Sequence, residues 1–152
     1  MEKMERRHFL KQVGLEFKVN PVVAILGPRQ CGKTTVSKQY IAQIKSHFPQ
    51  ENYFDLENDR DIARLQDPLL VLSRLSGLIV IDEIQKIPEL FPKLRVLVDN
   101  KSLKQQYLIL GSASRDLIKQ ASETLAGRIS YLELTPFTYS EVQNLNTLWK
   151  RG

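Results

Sequence analysis

Residues 27–34 read Gly-Pro-Arg-Gln-Cys-Gly-Lys-Thr, the pattern G-x-x-x-x-G-K-T. The run before it, Val22-Val23-Ala24-Ile25-Leu26, is uniformly apolar and predicts a buried strand. After it, Val36, Tyr40, Ile41, Ile44 and Phe48 recur at helical spacing and predict a helix. Strand, glycine loop and helix in that order form a cradle for phosphate. Glycine lets the backbone come close to phosphate oxygens. Successive N–H groups converge on the anion, and the helix N-terminus adds partial positive charge. Lys33 is expected to reach the β- and γ-phosphates, and the Thr34 hydroxyl to ligate Mg²⁺. Gly27, Pro28, Arg29, Gln30, Cys31, Gly32, Lys33, Thr34 and Thr35 are therefore the expected nucleotide-binding segment. Two readings of Arg29 stay open: it faces the nucleotide, or it pairs with acids. Cys31, the single cysteine, reads as a small residue accommodated in a tight loop.

A second motif supplies the chemistry that the loop lacks. Ile79-Val80-Ile81-Asp82-Glu83 is an apolar strand ending in two acids. Asp82 is expected to bind Mg²⁺ through water, and Glu83 to orient and polarise an attacking water. Phosphoryl transfer needs mainly positioning and charge stabilisation, which such groups provide. A glutamate directly after the metal aspartate favours water as the acceptor, hence hydrolysis. Ser112, in Gly111-Ser112-Ala113-Ser114, has two open readings. Its hydroxyl contacts the γ-phosphate or the attacking water, or it caps the next helix, as serine does well. For Ser114 the cap is the expected role.

The rest of the chain alternates strands and helices. Asn52–Leu56, Leu78–Ile81, Tyr107–Leu110 and Ile129–Leu134 read as four further strands. Residues 58–75 read as a helix broken or kinked at Pro68. Leu90, Phe91, Leu94, Leu97 and Val98 share one helical face, as do Leu117, Ile118, Ala121 and Leu125. This alternation predicts an α/β fold, a parallel sheet with helices on both faces. Ligands in such sheets sit beyond the carboxyl ends of the strands. The glycine loop, Asp82-Glu83 and Gly111-Ser112 all follow strand ends, so they should converge.

Composition sets the bounds. The chain has 152 residues, 42% hydrophobic, with net charge +5. That is one domain's worth of chain with enough apolar mass for a core. No secretory segment and no apolar run near 18 residues is present, which points to the cytoplasm and away from a membrane span. Residues 21–50 carry Arg29, Lys33, Lys38 and Lys45 and no acid, so bound nucleotide accounts for part of the basic excess. Lys3, Arg6, Arg7 and Lys11 near the start form a patch that could meet nucleic acid. Their neighbours Glu2 and Glu5 favour a solvated helix face instead. At the other end, Thr138 and Glu141 have capping-box spacing. Val142, Leu145, Leu148 and Trp149 then form an apolar stripe that needs a missing C-terminal region or a partner protein to cover it.

Together, Gly27–Thr35, Leu78–Gln85, Leu110–Ser114, Leu125–Ile129 and Leu134–Phe137 resemble the nucleotide-binding domain of AAA-type P-loop ATPases. The resemblance is to largely uncharacterised prokaryotic members whose longer forms carry a C-terminal domain of unknown function. It covers residues 18–152. It implies a three-layer P-loop NTPase with strand order 5-1-4-3-2, an AAA-type core lacking its C-terminal lid. It divides the chain into an N-terminal helical segment (1–17), the ATPase core (18–137) and the start of a further region (138–152). It implies Mg²⁺ and ATP rather than GTP, in line with the absence of an N/T-K-x-D guanine signature. It makes Ser112 a polar sensor. It also places Arg128 near a nucleotide, as a sensor for its own γ-phosphate or as a finger for a neighbour's in a homo-oligomer. The alternative for Arg128 is a surface ion pair. Three functions follow: an ATP hydrolase, an ATP-controlled switch with little turnover, and a nucleic-acid-stimulated ATPase.

Overall fold

The computed structural model describes residues 6–44 and 48–136. In chain order these form α1 (Arg7–Glu16), β1 (Val22–Leu26), α2 (Lys33–Ile44), β2 (Tyr53–Asp55), α3 (Asp59–Arg64), α4 (Pro68–Ser73), β3 (Gly77–Asp82), α5 (Leu90–Asp99), β4 (Gln105–Gly111), α6 (Arg115–Thr124) and β5 (Ile129–Glu133). The stripe from Val142 to Trp149 and its capping box lie outside the described residues.

The five strands pair in the order β2-β3-β4-β1-β5, every pair parallel. This is the expected 5-1-4-3-2 sheet read from its other edge. The register sets Leu26 opposite both Gly111 and Glu133, and Asp55 opposite Asp82. The carboxyl ends of β1, β3 and β4 therefore lie along one rim. The backbone continues this pairing beyond the strands: Gly27 N–H donates to Gly111 O at 3.2 Å, and Leu134 N–H to Leu26 O at 2.7 Å.

Strands covered on both faces must be apolar at every position, and β1, β3 and β4 divide their side chains between two cores. Val22, Ala24, Ile79, Ile81, Tyr107 and Ile109 join α4, α5 and α6 on one face. Val23, Ile25, Leu78, Val80, Leu108 and Leu110 join α1 and α2 on the other. Leu10, Val13 and Phe17 bring the N-terminal segment into that second core, and Phe17 stacks on Tyr40 with ring centroids 5.9 Å apart.

The helix expected to be broken or kinked at Pro68 is broken, into α3 and α4. Pro68 occupies the first turn of α4, where its missing N–H costs nothing. Asp67 caps that helix through a bond from Leu70 N–H at 3.2 Å, and Asn58 caps α3 through one from Arg60 N–H at 3.0 Å. Proline here starts a helix instead of kinking one. Among the described residues α2 covers Lys33–Ile44, and Phe48, outside it, packs on the second core.

Buried polar groups at the far rim are tied together by Gln105. Its Nε2 donates to the carbonyls of Leu72 (2.6 Å) and Leu75 (2.8 Å), and its Oε1 accepts from the Tyr107 hydroxyl (2.9 Å). Replacing it with alanine strands three buried groups, each worth about 1–3 kcal/mol when unsatisfied. Gln105→Ala is therefore expected to cost at least about 2 kcal/mol, lowering the melting temperature by roughly 4–8 °C in a chain of this size. Thermal unfolding checks this, and an unchanged midpoint would contradict the role given to Gln105.

Candidate nucleotide-binding site

The glycine loop joins the end of β1 to the start of α2. Gln30 (φ 63°) and Gly32 (φ 95°) both take left-handed backbone, the alternation that turns N–H groups toward one concavity. Val36 N–H donates to Gly32 O at 2.9 Å, beginning the helix. Gly27 has no room for a side chain: a Cβ there would meet Leu134 O at 2.4 Å and Cys31 Sγ at 2.8 Å. Cys31 is buried in the second core, a small side chain filling a tight loop. Lys33 is only 6% exposed. Its Nζ donates to the carbonyls of Gly27 (3.0 Å) and Pro28 (2.8 Å), so the ammonium folds back across the loop.

Asp82 ends β3 beside this loop and is 3% exposed. Its Oδ2 accepts from the Thr34 hydroxyl at 2.7 Å and from the Tyr53 hydroxyl at 3.0 Å. Its Oδ1 is buried with no hydrogen-bond partner. Burial pushes the carboxyl pKa up, the two hydroxyls pull it back, and the charges of Glu83 and Asp55 push it up further. The Tyr53 phenol is likewise raised, by burial first and then by the Asp82 charge. A carboxylate with one orphaned oxygen, next to a threonine hydroxyl, fits a hard divalent cation, which takes oxygen ligands. Thr34 and Asp82 are the residues that could hold it.

Glu83 follows with left-handed backbone (φ 59°, ψ 45°), which a non-glycine residue adopts only where its surroundings demand it. Its Oε2 accepts from the Gln85 side-chain amide. The other end of that amide, Oε1, accepts from Ser112 N–H at 3.3 Å. Ser112 is thereby tied to the site through its backbone. The cap of α6 is Ser114, whose hydroxyl accepts from Leu117 N–H at 3.3 Å. Gln30, Gly32, Lys33, Thr34, Thr35 and Glu83 line a cavity of about 280 Å³ at the start of α2. Arg29, Gln30, Glu57 and Glu83 line a second, of about 650 Å³. A larger cleft of about 880 Å³ lies along α2 and β2, but none of the loop's residues lines it.

Two arginines separate here. Arg29 is exposed and pairs with Glu57 at 3.5 Å, the acid-pairing reading of that residue. Arg128, read from the sequence as a sensor in cis, a finger for a neighbour or a surface ion pair, stands away from its own loop. Val22 N–H donates to Arg128 O, which sets Arg128 at the amino end of the sheet. The loop begins beyond the other end of β1, roughly 15–20 Å away at about 3.3 Å per residue. The Arg128 guanidinium instead grips Asp99, through Nε at 2.6 Å and Nη2 at 3.0 Å, and bonds Ala126 O at 2.8 Å. These bonds hold the Asp99 carboxyl below its ordinary pKa.

Three polar side chains at the site escaped the sequence reading: Tyr53, Glu57 and Gln85. Tyr53 lies on a short edge strand, and only the pairing of β2 with β3 brings its hydroxyl to Asp82.

Known proteins resemble this chain in sequence or in fold. An uncharacterized protein of Mycobacterium tuberculosis and its Mycobacterium bovis counterpart are each 48% identical over 151 residues, 98% of this chain. The chain spans about a third (33%) of the length of these curated relatives. Among solved structures, a Walker-type ATPase of Pyrococcus abyssi superposes with a TM-score of 0.61 at 13% identity, covering 92% of this chain and 56% of that one. A DNA polymerase III gamma subunit-related protein of Thermotoga maritima gives 0.55 at 12% identity, covering 93% and 51%. These likenesses concern the fold. No helix among the described residues is long and apolar enough to cross a membrane. The model of the AAA domain family matches residues 19–143, and the chain belongs to that family.

Proposed function

We propose that this chain binds Mg²⁺·ATP at the start of α2 and hydrolyses it, in the cytoplasm. The observation that carries the reading is the Thr34–Asp82 contact of 2.7 Å, with the second Asp82 oxygen buried and unpartnered. It brings the two motifs to one point and leaves there an oxygen that wants a cation. When bound, Mg²⁺ would supply charge neutralisation across the transferring phosphate, and Thr34 and Asp82 are the residues that would hold it. Lys33 exchanges its bonds to the Gly27 and Pro28 carbonyls for phosphate oxygens. The loop N–H groups and the amino end of α2 receive the remaining negative charge. Glu83 orients a water toward the γ-phosphorus and takes its proton. The new bond joins the water oxygen to phosphorus, and the bond to the bridging oxygen breaks with its electron pair leaving on ADP. Ser112 marks the end of β4 beside these groups.

Arg128 enters this reading only between copies. It stands at the far end of the sheet from its own loop, partly exposed and held by Asp99, so a neighbouring subunit's nucleotide is the one it would serve. A finger of this kind is worth about 10³–10⁵ in rate. Stimulation by DNA or RNA is read by adding each to the turnover assay.

Lys33→Ala is expected to weaken Mg²⁺·ATP binding by about 1.5–3 kcal/mol, the value of a charge-assisted bond. Calorimetry on the folded variant checks it, and unchanged affinity would sink the site. Glu83→Gln keeps the side-chain shape and removes the charge, so ATP binding should persist while turnover falls at least ~100-fold, the scale of a lost general base. Equal rates for wild type and variant would move water activation elsewhere, and a wild type near ~10⁻⁴ s⁻¹ would favour the switch. Mixing Arg128→Ala with Lys33→Ala subunits should restore activity that neither has alone. Proven mixed oligomers without recovery would leave Arg128 a structural ion pair.

A further inference from the structure

We propose that Gln85 is a positioning residue: it holds one oxygen of the Glu83 carboxylate and ties it to the backbone at the end of β4. The inference rests on the reading of Glu83 as the group that orients water.

The geometry admits one orientation of the Gln85 amide. Its Oε1 accepts from Ser112 N–H at 3.3 Å, so its Nε2, a donor only, is the end that meets Glu83 Oε2. A carboxylate can only accept, which satisfies both contacts at once. With Oε2 engaged, Oε1 of Glu83 is left for a water. Glutamine suits this place because it donates without carrying charge, so it fixes the carboxylate and leaves its basicity for the reaction. Glutamate there would set two carboxylates against each other.

The surroundings are built around this bridge. Ile84, fully buried, anchors the turn between Glu83 and Gln85. The left-handed backbone at Glu83 turns its side chain back toward residue 85 instead of onward along the strand. On the facing strand, Gly111 has no side chain, and a Cβ there would lie 3.0 Å from Gln85 Oε1, 3.0 Å from Ile84 Cγ2 and 2.9 Å from Leu117 Cδ2. Glycine at 111 is what lets β4 run close enough for Ser112 N–H to reach the amide. Because Glu83 also lines the cavity at the start of α2, a shift of the β4 end would reach the carboxylate through one side chain.

The test uses the whole chain with Gln85→Ala and the near-isosteric Gln85→Glu, whose shape guards against simple misfolding. Each should lower kcat about 10–100-fold, the scale of a small misplacement of a reacting group. ATP affinity by calorimetry should stay within about 3-fold, since the hydrogen bonds of Gln85 go to Glu83 and Ser112 and not to the phosphate loop. In a Glu83→Gln background, Gln85→Ala should add less than about a 2-fold loss, because the two residues act as one unit. An unchanged kcat, or an equal loss in both backgrounds, overturns the proposal. Amide exchange supplies a readout free of turnover: Ser112 N–H should exchange faster in Gln85→Ala. If wild type is silent while Ser112 responds, the reading of Glu83 has failed and the catalytic role of Gln85 falls with it. If wild type turns over and Ser112 does not respond, the bridge alone is overturned.

Discussion

A buried carboxylate governs this structure. Asp82 sits at the carboxyl end of the interior strand β3, almost wholly out of water, with two hydroxyls on one oxygen and no hydrogen bond on the other. Burying an ionised carboxyl is costly unless it is paired, and its upward pKa shift expresses that cost. The shift has a sign. A carboxyl whose folded pKa is raised destabilises the fold above that pKa and regains stability as protons neutralise it at lower pH. A divalent cation would offset the same cost at neutral pH. Thr34 from α2 and Tyr53 from β2 both reach one oxygen of Asp82, so the loop's helix, the acid-bearing strand and the edge strand meet on one atom.

That meeting depends on the sheet. Parallel strands all end at one rim, and the order β2-β3-β4-β1-β5 puts β4 between the strand that carries the loop and the strand that carries the acids. The consequence is a gap one strand wide. Thr34 spans it from the helix side, while Gln85 and Ser112 close it from the β4 side. Glycines at 27 and 111 are the close approaches that make the rim compact: Leu134 O stands against one, and Gln85, Ile84 and Leu117 against the other.

Much of this was legible in the sequence. Strands buried on both faces are written as unbroken apolar runs, so β1, β3 and β4 declared themselves, and the loop between Leu26 and Lys33 supplied its own punctuation. What failed to show were contacts between strands distant in sequence. Nothing local to Tyr53 or Gln85 says that one touches Asp82 and the other Glu83; register decides that. Pro68 was ambiguous because proline both ends helices and begins them, and the Asp67 cap resolves it. The readings of Arg128 stayed open for a related reason. Its motif neighbours are near in sequence to β5, but its place at the amino end of that strand puts the length of β1 between it and the loop. The apolar residues of α1 were passed over because its charges drew the reading, although Leu10, Val13 and Phe17 lie at helical spacing.

The most direct measurement of the central claim is a crystal structure of the chain with Mg²⁺ and a non-hydrolysable ATP analogue. The account predicts triphosphate density against residues 27–35, with Lys33 Nζ moved from the Gly27 and Pro28 carbonyls to phosphate oxygen. It also predicts a metal about 2.1 Å from Thr34 Oγ1, with Asp82 beside it. Nucleotide lodged in the larger cleft along α2 and β2, or a metal bound without Thr34 and Asp82, would contradict it.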